Sequence, residues 1–240
     1  MKTLTALAIL AALPMHTTLS YAEDIASDAP PAISYLVVGA GVTTNYMVGG
    51  STLSNNKFAV QPFVEYGTPF GGYLGAWASS GIYESYSDNK YEYDLYIGYR
   101  NGLTDTLSYD LSFWKYYNDD TGYYGDAYFL NLDYQVNDRF VTGLEWKRDN
   151  FFNANLYKLK ASYAMNDAWS VSGSYGLNSK AQPYLSGDEK IWDLGVKHQI
   201  APYLSLDARI YQANFADVMT YKEEGTRFVL SAELVTELLN

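Results

Sequence analysis

The 240-residue sequence contains no cysteine, which excludes a disulfide framework and a lipid-bearing cysteine anchor. It has only two histidines, His16 and His198, with no His-x-His and no carboxylate-loop spacing, so it offers no metal site, no cofactor motif and no cofactor. Beyond Met15 no apolar run approaches the roughly 18–20 residues of a spanning helix. Bases are scarce: 16 Lys and Arg against 27 Asp and Glu leave a formal net charge of −11. They are also scattered, which argues against nucleic acid as a partner.

What is abundant is tyrosine, with 25 Tyr against 10 Phe and 5 Trp. A soluble core favours Leu, Ile, Val and Phe, whereas Tyr and Trp, with an apolar body and a polar tip, gather where hydrocarbon meets water. The excess predicts aromatic girdles. At the N-terminus, Met1-Lys2-Thr3 precedes an apolar stretch from Leu4 to Met15, broken by Pro14, and then Ser20-Tyr21-Ala22. This predicts a signal peptide over residues 1–22, cleaved after Ala22. Residues 23–32 form a polar lead-in, and the fold occupies 33–240.

From there the chain alternates with a period of two. Over 91–100, Tyr91, Tyr93, Leu95, Ile97 and Tyr99 share one face and Glu92, Asp94, Tyr96, Gly98 and Arg100 the other. The pattern recurs over 107–113, 128–134, 140–147, 157–163, 169–175, 192–197, 204–210 and 228–234. Three further segments, near 33–46, 58–66 and 71–82, have strand-like length and β-propensity, but Gly and Ala occupy both of their faces. The fold class is therefore all-β: a transmembrane antiparallel up-and-down barrel of about twelve strands, an even number. Short connections (67–71, 101–104, 136–138, 165–167, 200–202) alternate with long ones (49–57, 83–90, 117–125, 148–153, 177–189, 214–225), which places both termini on the periplasmic side. A soluble sandwich would also alternate. The regular short-long order, the Tyr-rich apolar faces and the charges inside the strands count against it.

Four stretches between Thr44 and Tyr117 carry a family likeness. They are Asn45-Tyr46 with 50–56 and Ala59-Val60-Gln61; Gly72-Tyr73-x-Gly75-x-Trp77-Ala78-Ser79; Glu92-x-Asp94-x-Tyr96-x-Gly98-Tyr99; and Tyr109-Asp110 with Tyr116-Tyr117. In order and spacing they resemble the TorF family, a proteobacterial group of outer-membrane porins. The resemblance implies a channel barrel in a Gram-negative outer membrane. The chain departs from the family at Gly49, where an Arg is usual, and at Phe58, where a Pro is usual. It also reads Leu238-Leu239-Asn240 where such barrels usually end in an aromatic residue.

No enzyme is expected. Outside the signal peptide only His198 could serve as a catalytic base, and its parity puts it on the lipid-facing side with Trp192, Leu194 and Val196, near a short turn. Asp119-Asp120 and Glu223-Glu224 read as solvated loop charge, with cation bridging to lipopolysaccharide as an alternative.

The inward faces are more informative, because charges inside a barrel must be paired or solvated. The expected pore-lining residues are Glu92, Asp94, Asp110, Asp133, Glu145, Lys147, Lys158, Lys160, Asp193, Lys197, Asp207, Arg209 and Arg227. Their order along the chain predicts acids facing bases across the lumen, with a set of neighbouring salt bridges that close a narrow barrel as the alternative. Eight strands leave room only for side chains and about sixteen leave an open channel, so twelve lies between. The expected function is passive diffusion of small hydrophilic solutes. The alternative is a closed barrel acting through external loops such as Tyr116-Tyr117 and Tyr123-Tyr124. Expected partners are outer-membrane lipid and lipopolysaccharide, the barrel-assembly machinery and the solutes themselves.

Overall fold

A computed structural model describes residues 33–48, 51–81, 88–151, 153–179, 189–214 and 225–239; the expected signal peptide and lead-in lie outside them. The strands are β1 (Tyr35–Thr43), β2 (Met47–Val48), β3 (Ser51–Thr52), β4 (Ala59–Gly67), β5 (Gly72–Ser80), β6 (Tyr91–Gly102) and β7 (Leu107–Asn118). They continue as β8 (Gly122–Asn137), β9 (Phe140–Asp149), β10 (Ala154–Asn166), β11 (Trp169–Ser179), β12 (Glu189–Ala201), β13 (Leu204–Asn214) and β14 (Gly225–Leu239). Twelve of these close into one antiparallel barrel in chain order, with β1 pairing with both β4 and β14. β2 and β3 form a separate small hairpin. Closure leaves no sheet edge with unpaired backbone.

The alternation read from the sequence sets which side chains face out. On β6, Tyr91, Tyr93, Leu95, Ile97 and Tyr99 are exposed, while Glu92, Asp94, Tyr96 and Arg100 are buried. Outward rings gather at both rims. Tyr93, Tyr157, Tyr175 and Trp192 lie toward the long-connection end. Tyr99, Tyr163, Trp169 and His198 lie toward the short-turn end, each six residues along the same strand from its counterpart. Leu95, Ile97, Leu159 and Leu194 fill the band between. The tyrosine excess is thus partly accounted for by two bands of rings around an apolar belt. His198 stacks on Trp169 with centroids 4.1 Å apart, and its Nδ1 lies 3.1 Å from the Ala168 carbonyl. It is an outward rim residue.

Two connections expected to be long are tight. β7 and β8 continue through the expected loop 117–125 and turn only at 119–121; Gly122 takes the left-handed φ of 69° that ends the turn. The ladder continues there, with Tyr117 and Tyr123 packing edge to face across it. β9 and β10 likewise turn at 150–153. Asp119 sits at the first of these turns, outside the barrel wall, and accepts the backbone N–H groups of Lys90 at 2.8 Å and Tyr91 at 3.1 Å. These two bonds hold its carboxyl below the usual range. The central parts of the other long connections, 82–87, 180–188 and 215–224, lie outside the described residues, and so do Glu223 and Glu224.

The segments with ambiguous faces resolve once the barrel closes. β5 turns Tyr73, Gly75, Trp77 and Ser79 inward and the smaller Leu74, Ala76 and Ala78 outward, the reverse of the usual size order. Inward rings on one strand need space on the next. A Cβ on Gly98 would lie 2.2 Å from the Tyr73 ring, and one on Gly75 would lie 2.3 Å from the Tyr96 ring. Glycine is the residue that lets these rings cross the neighbouring strand.

Candidate functional site

The inward face is the chemically distinctive surface, and it divides into three regions. The first, on β1 and β4 to β8, is packed. Tyr35, Phe63, Tyr73, Tyr96, Trp114 and Phe129 form one buried cluster, in which Tyr96 stacks on Trp114 at 4.1 Å. Set into it is an ion knot. Arg100 Nη2 lies 3.1 Å from Glu65 Oε1, and its Nε lies 3.2 Å from Asp110 Oδ2. The Tyr35 hydroxyl donates to Glu65 at 2.7 Å and the Tyr73 hydroxyl to Asp110 at 2.6 Å. The guanidinium carbon sits 3.8 Å from the Tyr73 ring centroid. Each charge is compensated on several sides, as burial requires.

The second region is a tighter knot on β11 to β13. Arg209, only 1% exposed, pairs with Asp193, and its Nη2 lies 3.1 Å from Asp207 Oδ2. Nη2 also donates to Ser172 Oγ at 2.8 Å. Gly195 makes room for it, since a Cβ there would lie 2.6 Å from the guanidinium carbon.

The third region, on β8 to β10, is looser. Lys147 pairs with Asp149 at 3.2 Å, Lys158 with Glu145 at 3.1 Å and Lys160 with Asp133 at 3.3 Å. Lys160 also donates to Asn131 at 2.9 Å. These side chains keep between 11% and 17% of their surface exposed, against 1% to 9% in the two knots, so water reaches this wall. Lys197 and Arg227 are also half-buried inward residues, on β12 and β14.

All thirteen expected lining residues thus sit on inward parity, but not in one environment. Glu92, Asp94, Asp110, Asp193, Asp207 and Arg209 are buried, while Asp133, Glu145, Lys147, Lys158, Lys160, Lys197 and Arg227 retain exposure. The expected opposition of acids and bases across the lumen gives way to pairs within one strand or between strands one or two places apart. The register explains this: Lys158 stands opposite Glu145, and Lys197 opposite Asp207. A partner one strand away gives a stronger attraction than one across a wide lumen. Asp94 is the exception, fully buried with neither carboxylate oxygen hydrogen-bonded.

Sequence reasoning missed Glu65, which the weak alternation of β4 left unassigned, and the inward tyrosines. Tyr116 and Tyr124, expected in external loops, are inward side chains of the wall. A bulge next to Tyr116 and Tyr117 pairs Tyr116 with Gly125 and Tyr117 with Tyr123, leaving Tyr124 as the extra residue, and its hydroxyl reaches Glu92.

The missed element that matters most is the connection from β1 to β4, expected as an external loop. It folds inward: Tyr46 and Met47 are 0% and 1% exposed. Among the described residues, no group of three or more His, Cys, Asp or Glu side chains is placed to hold a metal ion.

A closed twelve-stranded antiparallel barrel, apolar and ring-bordered outside and charged within, has the fold of small porins. The KdgM porin superposes with a TM-score of 0.58 at 7% identity, covering 84% of this chain and 98% of that one. "KdgM porin in complex with disordered oligogalacturonate" gives 0.58 at 8% over the same shares. The NanC porin gives 0.54 at 10%, covering 85% and 99%. At these identities the likeness is one of fold. By sequence, the chain belongs to the family described as bacterial protein of unknown function (Gcw_chp), whose model matches residues 26–238. Together these findings support a porin-like family without singling out the TorF group. Comparison with curated proteins returns no match.

Proposed function

We propose that the protein is an outer-membrane channel through which small hydrophilic solutes diffuse along the partly exposed lysine wall of β8 to β10. The observation that carries this reading is the contrast in exposure inside the barrel. Charged pairs in a sealed interior are squeezed dry, as around Arg100 and Arg209, whereas Lys158–Glu145 and Lys160–Asp133 keep water access. Hydrated, closely paired charge suits polar solutes and disfavours apolar ones. The apolar belt between two bands of rings fits insertion in a bilayer. On this reading residues 1–22 are an export signal, the long connections face outward to lipopolysaccharide, and the chain is assembled by the cell's barrel-insertion machinery. The resemblance to the TorF porins agrees with it. The function requires no covalent chemistry.

Single-channel conductance of the refolded chain (residues 23–240) in a planar bilayer tests this reading, with a Lys158→Gln/Lys160→Gln variant measured beside it. Discrete steps are expected, and the reversal potential in a salt gradient should move toward cation preference in the variant. Steps with an unmoved reversal potential would take the lysine wall out of the path. Folded barrel without any steps would leave a structural barrel acting through its external face.

A further inference from the structure

We infer that the segment linking β1 to β4, described over residues 44–48 and 51–58, bridges the barrel mouth and is the element that limits the size of what passes; this rests on the channel reading above. Tyr46 and Met47 are neighbours in sequence, yet their side chains reach opposite parts of the wall. The Tyr46 hydroxyl donates to Glu92 Oε2 on β6 at 2.8 Å, and its ring packs 5.5 Å from Trp77 on β5. Met47 packs between Tyr211 on β13 and Val229 on β14. From β6 to β13 by way of β5, β4, β1 and β14 is five steps around a ring of twelve strands. Two adjacent residues therefore tie together walls that face each other nearly across the lumen. None of these anchors lies on β8 to β10, which carry the partly exposed lysines.

The segment is shaped for this position by its own polar side chains. The backbone N–H of Tyr46 donates to Ser54 Oγ at 2.8 Å, and the Leu53 N–H donates to the Tyr46 carbonyl at 2.8 Å. The Asn45 amide donates to Asn56 Oδ1 at 3.0 Å, and its carbonyl oxygen accepts the Thr52 hydroxyl. Asn55 and Asn56 take left-handed φ values of 51° and 57°, which turn the chain back toward β4. Asn45, Ser54 and Tyr46 are 4% exposed or less, which an external loop open to water would not give. These are also residues that carry the first stretch of the family likeness, so that motif reads as a recipe for an inward bridge.

The test uses the absence of native cysteine. In a Tyr46→Cys/Glu92→Cys chain, a bifunctional thiol reagent about as long as the tyrosine side chain it replaces should join the two positions. In bilayers, Tyr46→Ala/Met47→Ala should raise conductance about twofold and admit larger neutral polymers, as expected when an element spanning the mouth comes free. Tyr46→Phe, which removes only the hydroxyl, guards against misfolding and should shift both readouts the same way by less. Unchanged conductance and polymer cut-off in folded variants of a conducting protein would overturn the inference. If neither wild type nor variants conduct, the channel reading fails, and cross-linking alone then decides whether the bridge exists; absence of cross-link overturns it.

Discussion

Replacing Arg209 by methionine should be among the most destabilising single changes in the barrel. The guanidinium is 1% exposed and serves both Asp193 and Asp207, which are themselves 7% and 6% exposed. Methionine keeps much of the volume but leaves Asp193 without its paired cation and Asp207 with only Lys197 opposite it. Breaking a buried pair from one side costs about 3–5 kcal/mol, because the remaining charge stays desolvated. Since about 1.4 kcal/mol is a factor of ten, the folding constant should drop by roughly two to three and a half orders of magnitude. Urea titration of the refolded barrel in lipid vesicles, followed by tryptophan fluorescence, reads this directly, with heat-modifiable gel migration confirming that the starting state is folded. The companion chain Asp193→Asn/Asp207→Asn/Arg209→Met separates charge from packing. It carries neutral groups of nearly the same shape and should recover most of the loss, because replacing a whole buried ion cluster is often close to neutral. A loss below about 1 kcal/mol in the single variant would mean that lumen water screens the knot as it would a surface pair. Failure of the triple variant to recover would place the cost in packing around Gly195 rather than in stranded charge.

Two further outcomes follow from the same geometry. Asp94 is fully buried with no hydrogen bond to either carboxylate oxygen, so Asp94→Asn should stabilise the barrel by about 1–3 kcal/mol in the same titration; a loss would reveal a partner the carboxylate needs. Asp119 has its carboxyl lowered by the N–H groups of Lys90 and Tyr91, so its stabilising contribution is complete above the ordinary value of 3.8 and is lost as the pH falls through the lower folded value. Amide shifts of Lys90 and Tyr91 followed by NMR should titrate below 3.8 in the native chain and stay flat in Asp119→Asn.

Strand number and parity were readable wherever large apolar residues face out and polar ones face in, as on β6, β10 and β12. Reading failed where the lumen itself is aromatic. On β5 the inward set is Tyr73 and Trp77 and the outward set Leu74, Ala76 and Ala78, so a rule that sends rings to the lipid gives no clean answer. Tyr116 and Tyr124 were misplaced for a related reason: paired tyrosines beside glycine and aspartate look like a loop, and no local pattern reveals the bulge that turns one ring inward. The charge list was legible as parity, but its partition into buried knots and a more exposed wall depends on strand register. Gly195 beside Arg209 is informative only once β12 and β13 are in register.

Twelve strands alone leave the state of the lumen open, because a barrel of this size can be filled or hollow depending on what points inward. Here the inward side chains differ from one side of the ring to the other. Glycine opposite tyrosine, as at Gly98 with Tyr73 and Gly75 with Tyr96, lets rings from one strand lie over the next, which fills the β4 to β8 side with aromatic carbon. On β8 to β10 the inward residues Asp133, Glu145, Lys158 and Lys160 are long or charged, and each prefers some contact with water over complete burial. Filling one side sets the partly exposed pairs of β9 and β10 beside a packed aromatic wall. A bridge from β6 to β13 adds to this asymmetry, since both of its anchors, Glu92 and the Tyr211–Val229 pair, stand outside the lysine wall. On the channel reading proposed above, the charges a solute would meet are the few partly exposed pairs of β8 to β10 rather than the overall acidity of the chain.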